Sequence, residues 1–255
     1  MPLVDPVTMS TSSKAASDAG KPKDGLHPVQ PLPTPVAQAV RHLQPAILSA
    51  LFVAQFNALV SDPVRTLQKS LPVVAVLQIL YAFVALPAAG SQTSKTVRKP
   101  RPGEKKKAES TGPNPFIAIF LSVLLATLVT PAIHLLLVLF GAPFLTHVPH
   151  TLLCSANVSL LTLFPLFYVH GVDASTWRSI ASASAPLDEA YGGLVGGLLG
   201  SWLGAVPIPL DWDREWQKWP VTILCGLYGG YVLGKLVGGL LALGKRLPGS
   251  ARDDE

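Results

Sequence analysis

Residues 116–140 read FIAIFLSVLLATLVTPAIHLLLVLF, twenty-five positions without a charge. A hydrocarbon core of ~30 Å needs about 20 apolar helical residues at a rise of ~1.5 Å each. Inside lipid only helices and closed barrels satisfy every backbone N–H and C=O. The stretch therefore predicts a membrane-spanning helix. Working outward, five more stretches meet or approach the same length: Leu43 to Val60, Leu71 to Ala89, Val148 to Val169, Ala190 to Val206 and Val221 to Leu243. The expected fold is an all-α, polytopic membrane helical bundle of about six transmembrane helices over residues 41–243. The first and fifth stretches are the short ones, and losing the fifth would leave five spans. Pro131 and Pro165 fall inside the third and fourth spans and predict kinks, tolerated where neighbours satisfy the freed carbonyls. Gln44, Gln55 and Asn57 in the first span are expected to face other helices, because an unpaired amide in hydrocarbon costs several kcal/mol.

Composition agrees. Charged residues make up 14% of the chain, against about a quarter in soluble domains, and the mean hydropathy is +0.41. The net charge of +5 is concentrated: seven of the twenty Lys and Arg lie between Lys95 and Lys107. That clustering suits a cytoplasmic loop (90–115) against an anionic leaflet, where each charge is worth ~1 kcal/mol, and no nucleic acid partner is implied. Residues 1–40, rich in Pro and Ser, read as a disordered tail with no apolar leader before Arg41, and 244–255 as a short second tail. Cys154 and Cys225 both lie in apolar runs and imply neither a disulfide nor a zinc site.

Across six spans, fifteen Lys and Arg fall on one side and four on the other (Arg65, Lys69, Arg214 and Lys218), with Lys235 inside the sixth span. The positive-inside rule then predicts that both termini are cytoplasmic.

The last two spans carry glycine at every fourth position: Gly192, Gly196, Gly200 and Gly204 in one, Gly226, Gly230, Gly234 and Gly238 in the other. Such a spacing runs down one helix face and lets backbones approach closely, which drives association where lipid removes any hydrophobic advantage. Either the two stripes pack on each other as an antiparallel hairpin, or one receives a partner's helix.

Between them, residues 207–220 hold Pro207, Pro209, Asp211, Trp212, Asp213, Arg214, Trp216, Trp219 and Pro220. Indoles beside a span favour the headgroup region, so the loop is expected on the membrane surface. Asp211 and Asp213 could be read as a metal pair, but Arg214 and Lys218 neutralise them as simply, and no metal is assigned.

The run Gly204 to Pro220, with Pro209-Leu210-Asp211-Trp212-Asp213-Arg214, Trp216-Gln217 and Trp219-Pro220, resembles the phosphatidylinositol-glycan biosynthesis class F family. The flanking glycine spans, Gly141-Ala142-Pro143 and Thr151 to Ser159 are similar to it too. The likeness covers roughly Pro113 to Leu243, and the first two spans match only in kind. Glu215 stands where the family pattern leads one to expect proline. The resemblance implies an endoplasmic-reticulum accessory subunit that stabilises the large catalytic subunits transferring ethanolamine phosphate to mannoses of the glycosylphosphatidylinositol (GPI) precursor. The catalytic site and its metals would belong to that partner, leaving this chain with no cofactor or catalytic residue of its own.

The alternative class is a small lipid transporter or membrane-embedded lipid-modifying enzyme acting alone. His147 and His150, three apart, and His134 within the third span are its candidates. The further carboxylates a hydrolase needs, Asp173, Asp188 and Glu189, are expected in a loop on the opposite side. His134 is also a candidate for a polar contact between helices. Lys235, inside a span, is expected to pair with an acid on a partner helix, bind a lipid phosphate or snorkel. Asn57, Gln78 and Asn157 are expected to form interhelical hydrogen bonds.

Overall fold

The computed structural model of the chain describes residues 26–91, 114–210 and 212–247. The basic run Lys95 to Lys107, Asp211 and most of both tails lie outside them.

All regular structure among the described residues is helical. The helices are α1 (Pro35–Ser61), α2 (Pro63–Ala85), α3 (Pro115–Leu139), α4 (Val148–His170), a short α5 (Ala174–Ala181), α6 (Glu189–Ala205) and α7 (Val221–Leu241). Five of them are long and apolar enough to cross a membrane. The sixth, α6, has 17 residues, the lower limit of about 17–25 for a span. It runs antiparallel to α7 from the Gly192–Gly238 contact to the Gly204–Thr222 contact.

Helix starts are set by polar caps followed by proline, a signal that hydropathy alone does not register. Thr34 Oγ1 accepts the Ala37 N–H at 3.2 Å ahead of Pro35, and Asp62 Oδ1 accepts the Arg65 N–H at 3.1 Å ahead of Pro63. Both arrangements place proline where a missing N–H costs nothing. As a result α1 and α2 each begin eight residues before the expected spans, and only Asp62 separates them. The expected disordered tail is corrected over residues 26–40. Leu32 N–H donates to the Ala85 carbonyl at 2.8 Å, Val29 N–H reaches Asp188 Oδ2 at 3.0 Å, and residues 35–40 are helix.

The beginning and end of the described chain meet at one end of the bundle. Leu187 N–H donates to the Lys245 carbonyl and Gly244 N–H to the Leu187 carbonyl, while Ala89 N–H reaches the Tyr168 carbonyl. Asp62, the α3–α4 connection and the Trp-rich loop occupy the other end.

The core centres on α4 and α7. Cys154, Leu161 and Phe164 of α4 and Val221, Leu224 and Leu227 of α7 are fully buried and cluster with Leu48 of α1 and Val74 of α2. Helix α3 lies at the periphery and exposes Phe116, Phe120, Leu128 and Leu139, the expected dress of a lipid-facing helix.

Proline is accommodated differently in the two expected places. Helix α3 continues through Pro131. In α4 a π-helical turn, Ser159–Leu163, immediately precedes Pro165. Pro165 has no N–H to donate to that turn. Gln78, fully buried on α2, supplies the donor, its Nε2 lying 3.3 Å from the Leu160 carbonyl and 3.2 Å from that of Leu161.

Candidate functional site

The glycine stripes face each other. A Cβ built on Gly192, Gly196, Gly200 or Gly204 would lie 2.0–2.4 Å from the backbone oxygens of Gly234, Gly230, Gly226 and Thr222 respectively. In the reverse direction, a Cβ on Gly226, Gly230, Gly234 or Gly238 would lie 2.0–2.3 Å from the oxygens of Gly200, Gly196, Gly192 and Asp188. Backbone touches backbone along the whole hairpin, a spacing that suits weak Cα–H···O contacts. Each stripe occupies the other, so neither remains open to a partner's helix, and the second of the two sequence readings is corrected. Further glycines seat side chains: Gly193 takes the Tyr231 ring, Gly197 the Thr162 methyl and Gly239 the Glu189 stem.

At the far end of this hairpin the Trp-rich loop is held by its own side chains. Gln217 Nε2 donates to the Pro207 carbonyl at 2.8 Å and the Leu210 carbonyl at 2.7 Å, and its Oε1 accepts the Arg214 N–H at 3.0 Å. The stretch Pro207 to Leu210, which includes Pro209, is thereby pinned to the turn Glu215–Gln217. The Trp212 and Trp216 rings meet edge-on at 5.7 Å, and Trp212 is half exposed. Glu215 occupies its site as an exposed partner of Lys218 at 2.9 Å. Asp213 adopts a left-handed backbone with φ of 49°, a conformation that Asp tolerates better than most residues. Among the described residues, Trp219 Nε1–H ties the loop into the bundle by donating to Thr151 Oγ1 at 3.1 Å. Thr151 is fully buried on α4. Asp211, one half of the acidic pair weighed in the sequence, lies outside the described residues. Among the described residues no group of three or more His, Cys, Asp or Glu is placed to hold a metal.

A buried polar chain crosses the other half of the bundle. Arg41 of α1 forms an ion pair with Glu189 of α6 and also donates to the Gly239 carbonyl of α7 at 3.1 Å. The second oxygen of Glu189 accepts the Tyr81 hydroxyl at 2.8 Å. The Lys235 ammonium lies 3.4 Å from the centre of the Tyr81 ring and donates to Gln44 Oε1 at 2.6 Å. Gln44 Nε2 then reaches Gln78 Oε1 at 2.9 Å and the Tyr231 hydroxyl at 3.2 Å. Tyr81 thus stands between cation and anion: its hydroxyl donates to the carboxylate, and its electron-rich face receives the ammonium, a contact worth ~2 kcal/mol when desolvated. Five helices contribute to the chain, which ends on the α4 carbonyls beside Pro165.

Several expectations change accordingly. Lys235, 2% exposed, neither snorkels nor meets a partner's acid, because Gln44 and Tyr81 of its own chain hold it. Glu189, expected in a loop, is 5% exposed in the first turn of α6, since Asp188 caps that helix by accepting the Tyr191 N–H at 2.8 Å. Arg41, counted with the tail, is a helix residue. Asn157 accepts the Tyr228 hydroxyl from α7 at 2.8 Å, whereas Asn57 is exposed four residues from the end of α1, about 6 Å from its terminus and close to headgroup depth. His134 makes no interhelical hydrogen bond through Nδ1, which is buried without a partner, as is His150 Nδ1. The His147 and His150 rings meet edge-on at 4.9 Å. The paired behaviour of Arg41 and Glu189 was invisible to periodicity, since they stand 148 residues apart. A charge inside each capped helix was the only local signal.

The chain matches the family described as GPI biosynthesis protein family Pig-F over residues 43–239, so the likeness reaches the first two spans as well. It is 53% identical to the glycosylphosphatidylinositol anchor biosynthesis protein 11 of Neurospora crassa, over 96% of this chain and 100% of that one. To the protein of the same name from Pyricularia oryzae it is 54% identical, over 93% of this chain and 95% of that one. It is 34% identical to the mouse GPI ethanolamine phosphate transferase, stabilizing subunit, over 41% of this chain and 50% of that one. No solved structure matches. With a family match that runs from the first long helix through the tryptophan loop into the last, the chain belongs to the GPI biosynthesis protein family Pig-F.

Proposed function

We propose that this chain is a noncatalytic subunit of the endoplasmic-reticulum membrane that binds and stabilises the ethanolamine-phosphate transferases acting on mannose residues of the GPI-anchor precursor. Its termini are cytoplasmic and its Trp-rich loop is lumenal. The observation that carries the reading is the mouse relative, named for a stabilising role in that transferase. The physical support is the use made of polar side chains within the membrane. Arg41, Glu189, Lys235, Gln44 and Gln78 bond to one another and to backbone, as suits a scaffold presenting a rigid surface. The half-exposed Trp212 and its neighbour Trp216 give the loop an amphipathic face at the lumenal end, where a large lumenal domain would rest.

Purification of the tagged chain in mild detergent is expected to bring down a large transferase, and deletion of the chain to lower that transferase's abundance and accumulate a precursor lacking ethanolamine phosphate. Transfer of ethanolamine phosphate by the purified chain alone would overturn the proposal in favour of the enzyme reading.

A further inference from the structure

Helices α2, α3 and α4 do not close on one another. Between them lies a cleft of about 460 Å³, within the ~300–1,000 Å³ of small-molecule sites. Small residues make it: Ala75 on α2, Ala126 on α3 and Ala156 on α4. Each of the three alanines is at least about 12 Å from the nearer end of its helix at ~1.5 Å per residue, so the cleft sits at hydrocarbon depth. Thr127 and Leu152 on its rim are exposed, which opens it sideways to the bilayer.

We propose that this cleft binds the acyl chain of a membrane phospholipid. The chemistry of the walls selects an apolar ligand. No charged residue lines the cleft, and the hydroxyl donors within it are already used. Thr127 donates to the Val123 carbonyl at 2.9 Å, and Thr130 and Ser159 both donate to the Ala126 carbonyl, at 2.9 and 2.6 Å. A headgroup would find no partner there, and water would find too few to be held. Left empty, the walls would forfeit dispersion contacts over the whole cleft. Because the cleft opens sideways at hydrocarbon depth, an acyl chain of the surrounding bilayer enters it without leaving apolar surroundings.

The test uses the full-length chain in nanodiscs containing phosphatidylcholine with a photoreactive diazirine at mid-chain. After irradiation, peptide mapping is expected to find adducts concentrated on the cleft residues of 123–131 and 152–160, well above the outward residues Phe120 and Leu135. Ala156→Phe and the milder Ala126→Leu, each monodisperse on gel filtration, are expected to lose these adducts, while Leu135→Phe on the outer face of α3 keeps them. Adducts spread evenly over the lipid-facing surface, or undiminished in both filled variants, would overturn the proposal. So would a protein adduct replacing the lipid adduct at Thr127→Cys in native membranes.

Discussion

Gln78 on α2 donates to the Leu161 carbonyl on α4 at 3.2 Å, in the turn that Pro165 leaves without an N–H donor. One helix thereby repairs the backbone of another inside the membrane. Gln78→Leu is expected to cost about 1–3 kcal/mol, the penalty for a buried acceptor left unpaired. Pro165→Ala restores an N–H to that turn, so the cost of Gln78→Leu should shrink in its presence. Thermal melts of the four proteins of the double-mutant cycle check this; purely additive losses would refute the coupling.

The glycine hairpin holds a contrast between its two helices. A Cβ on Gly200 would sit 2.0 Å from the Gly226 oxygen, whereas one on Gly229 meets nothing within 4 Å. Gly200→Ala is expected to push α6 from α7 at a cost of about 1–3 kcal/mol, as overpacking does. Gly229→Ala should be neutral or gain about 0.5–1 kcal/mol through helix propensity. Fluorescence-detected size-exclusion after heating distinguishes them, and equal behaviour would count against the backbone-contact geometry.

Breaking the Arg41–Glu189 pair leaves a buried charge alone. Arg41→Met is expected to destabilise by about 3–5 kcal/mol, whereas Arg41→Met with Glu189→Gln should recover much of that loss. Tyr81→Phe, which removes only the hydroxyl donated to Glu189 at 2.8 Å, is expected to cost about 1–3 kcal/mol. Unfolding monitored in detergent provides the comparison, and a double variant no better than the single one would speak against the pairing.

Gln217 clamps the Trp-rich loop without entering the core. Gln217→Leu removes its bonds to the Pro207 and Leu210 carbonyls and is expected to leave the melting temperature of the isolated chain nearly unchanged while reducing transferase recovery in pull-downs. Trp219→Phe, which loses the 3.1 Å bond to Thr151, should act in both assays. Full recovery with Gln217→Leu would mean that the loop is not the docking surface.

Asp173 caps α5 outside the membrane. Hydrogen bonds from the Ser175 hydroxyl and from the Thr176 N–H and hydroxyl hold its carboxyl down to about 2 from an ordinary 3.8. A depressed folded pKa means that the carboxylate's stabilisation is fully present above about 4 and fades as pH falls toward about 2. Protection of the Ala174–Ala181 amides, corrected for intrinsic exchange, is expected to fall as pH drops through that interval and to stay level above it. Asp173→Asn, which keeps a cap but does not titrate, should flatten the response.

The sequence by itself determined that this is a polytopic helical membrane protein, because uncharged runs such as residues 116–140 have no other stable form in lipid. It also determined where backbones could touch, since a glycine every fourth residue marks one helix face whatever lies opposite, and the tryptophan loop carried the family likeness. Helix starts at Pro35 and Pro63 were legible only as caps, which a hydropathy window overlooks. What the tertiary structure alone decided is which groups meet. The stripes of α6 and α7 close on each other, Arg41 finds Glu189 at a sequence distance of 148, and Lys235 is held by Gln44 and Tyr81 of its own chain. The physical reason is that a buried charge or carbonyl takes the partner that packing brings within about 3 Å, and packing joins residues that no local pattern connects.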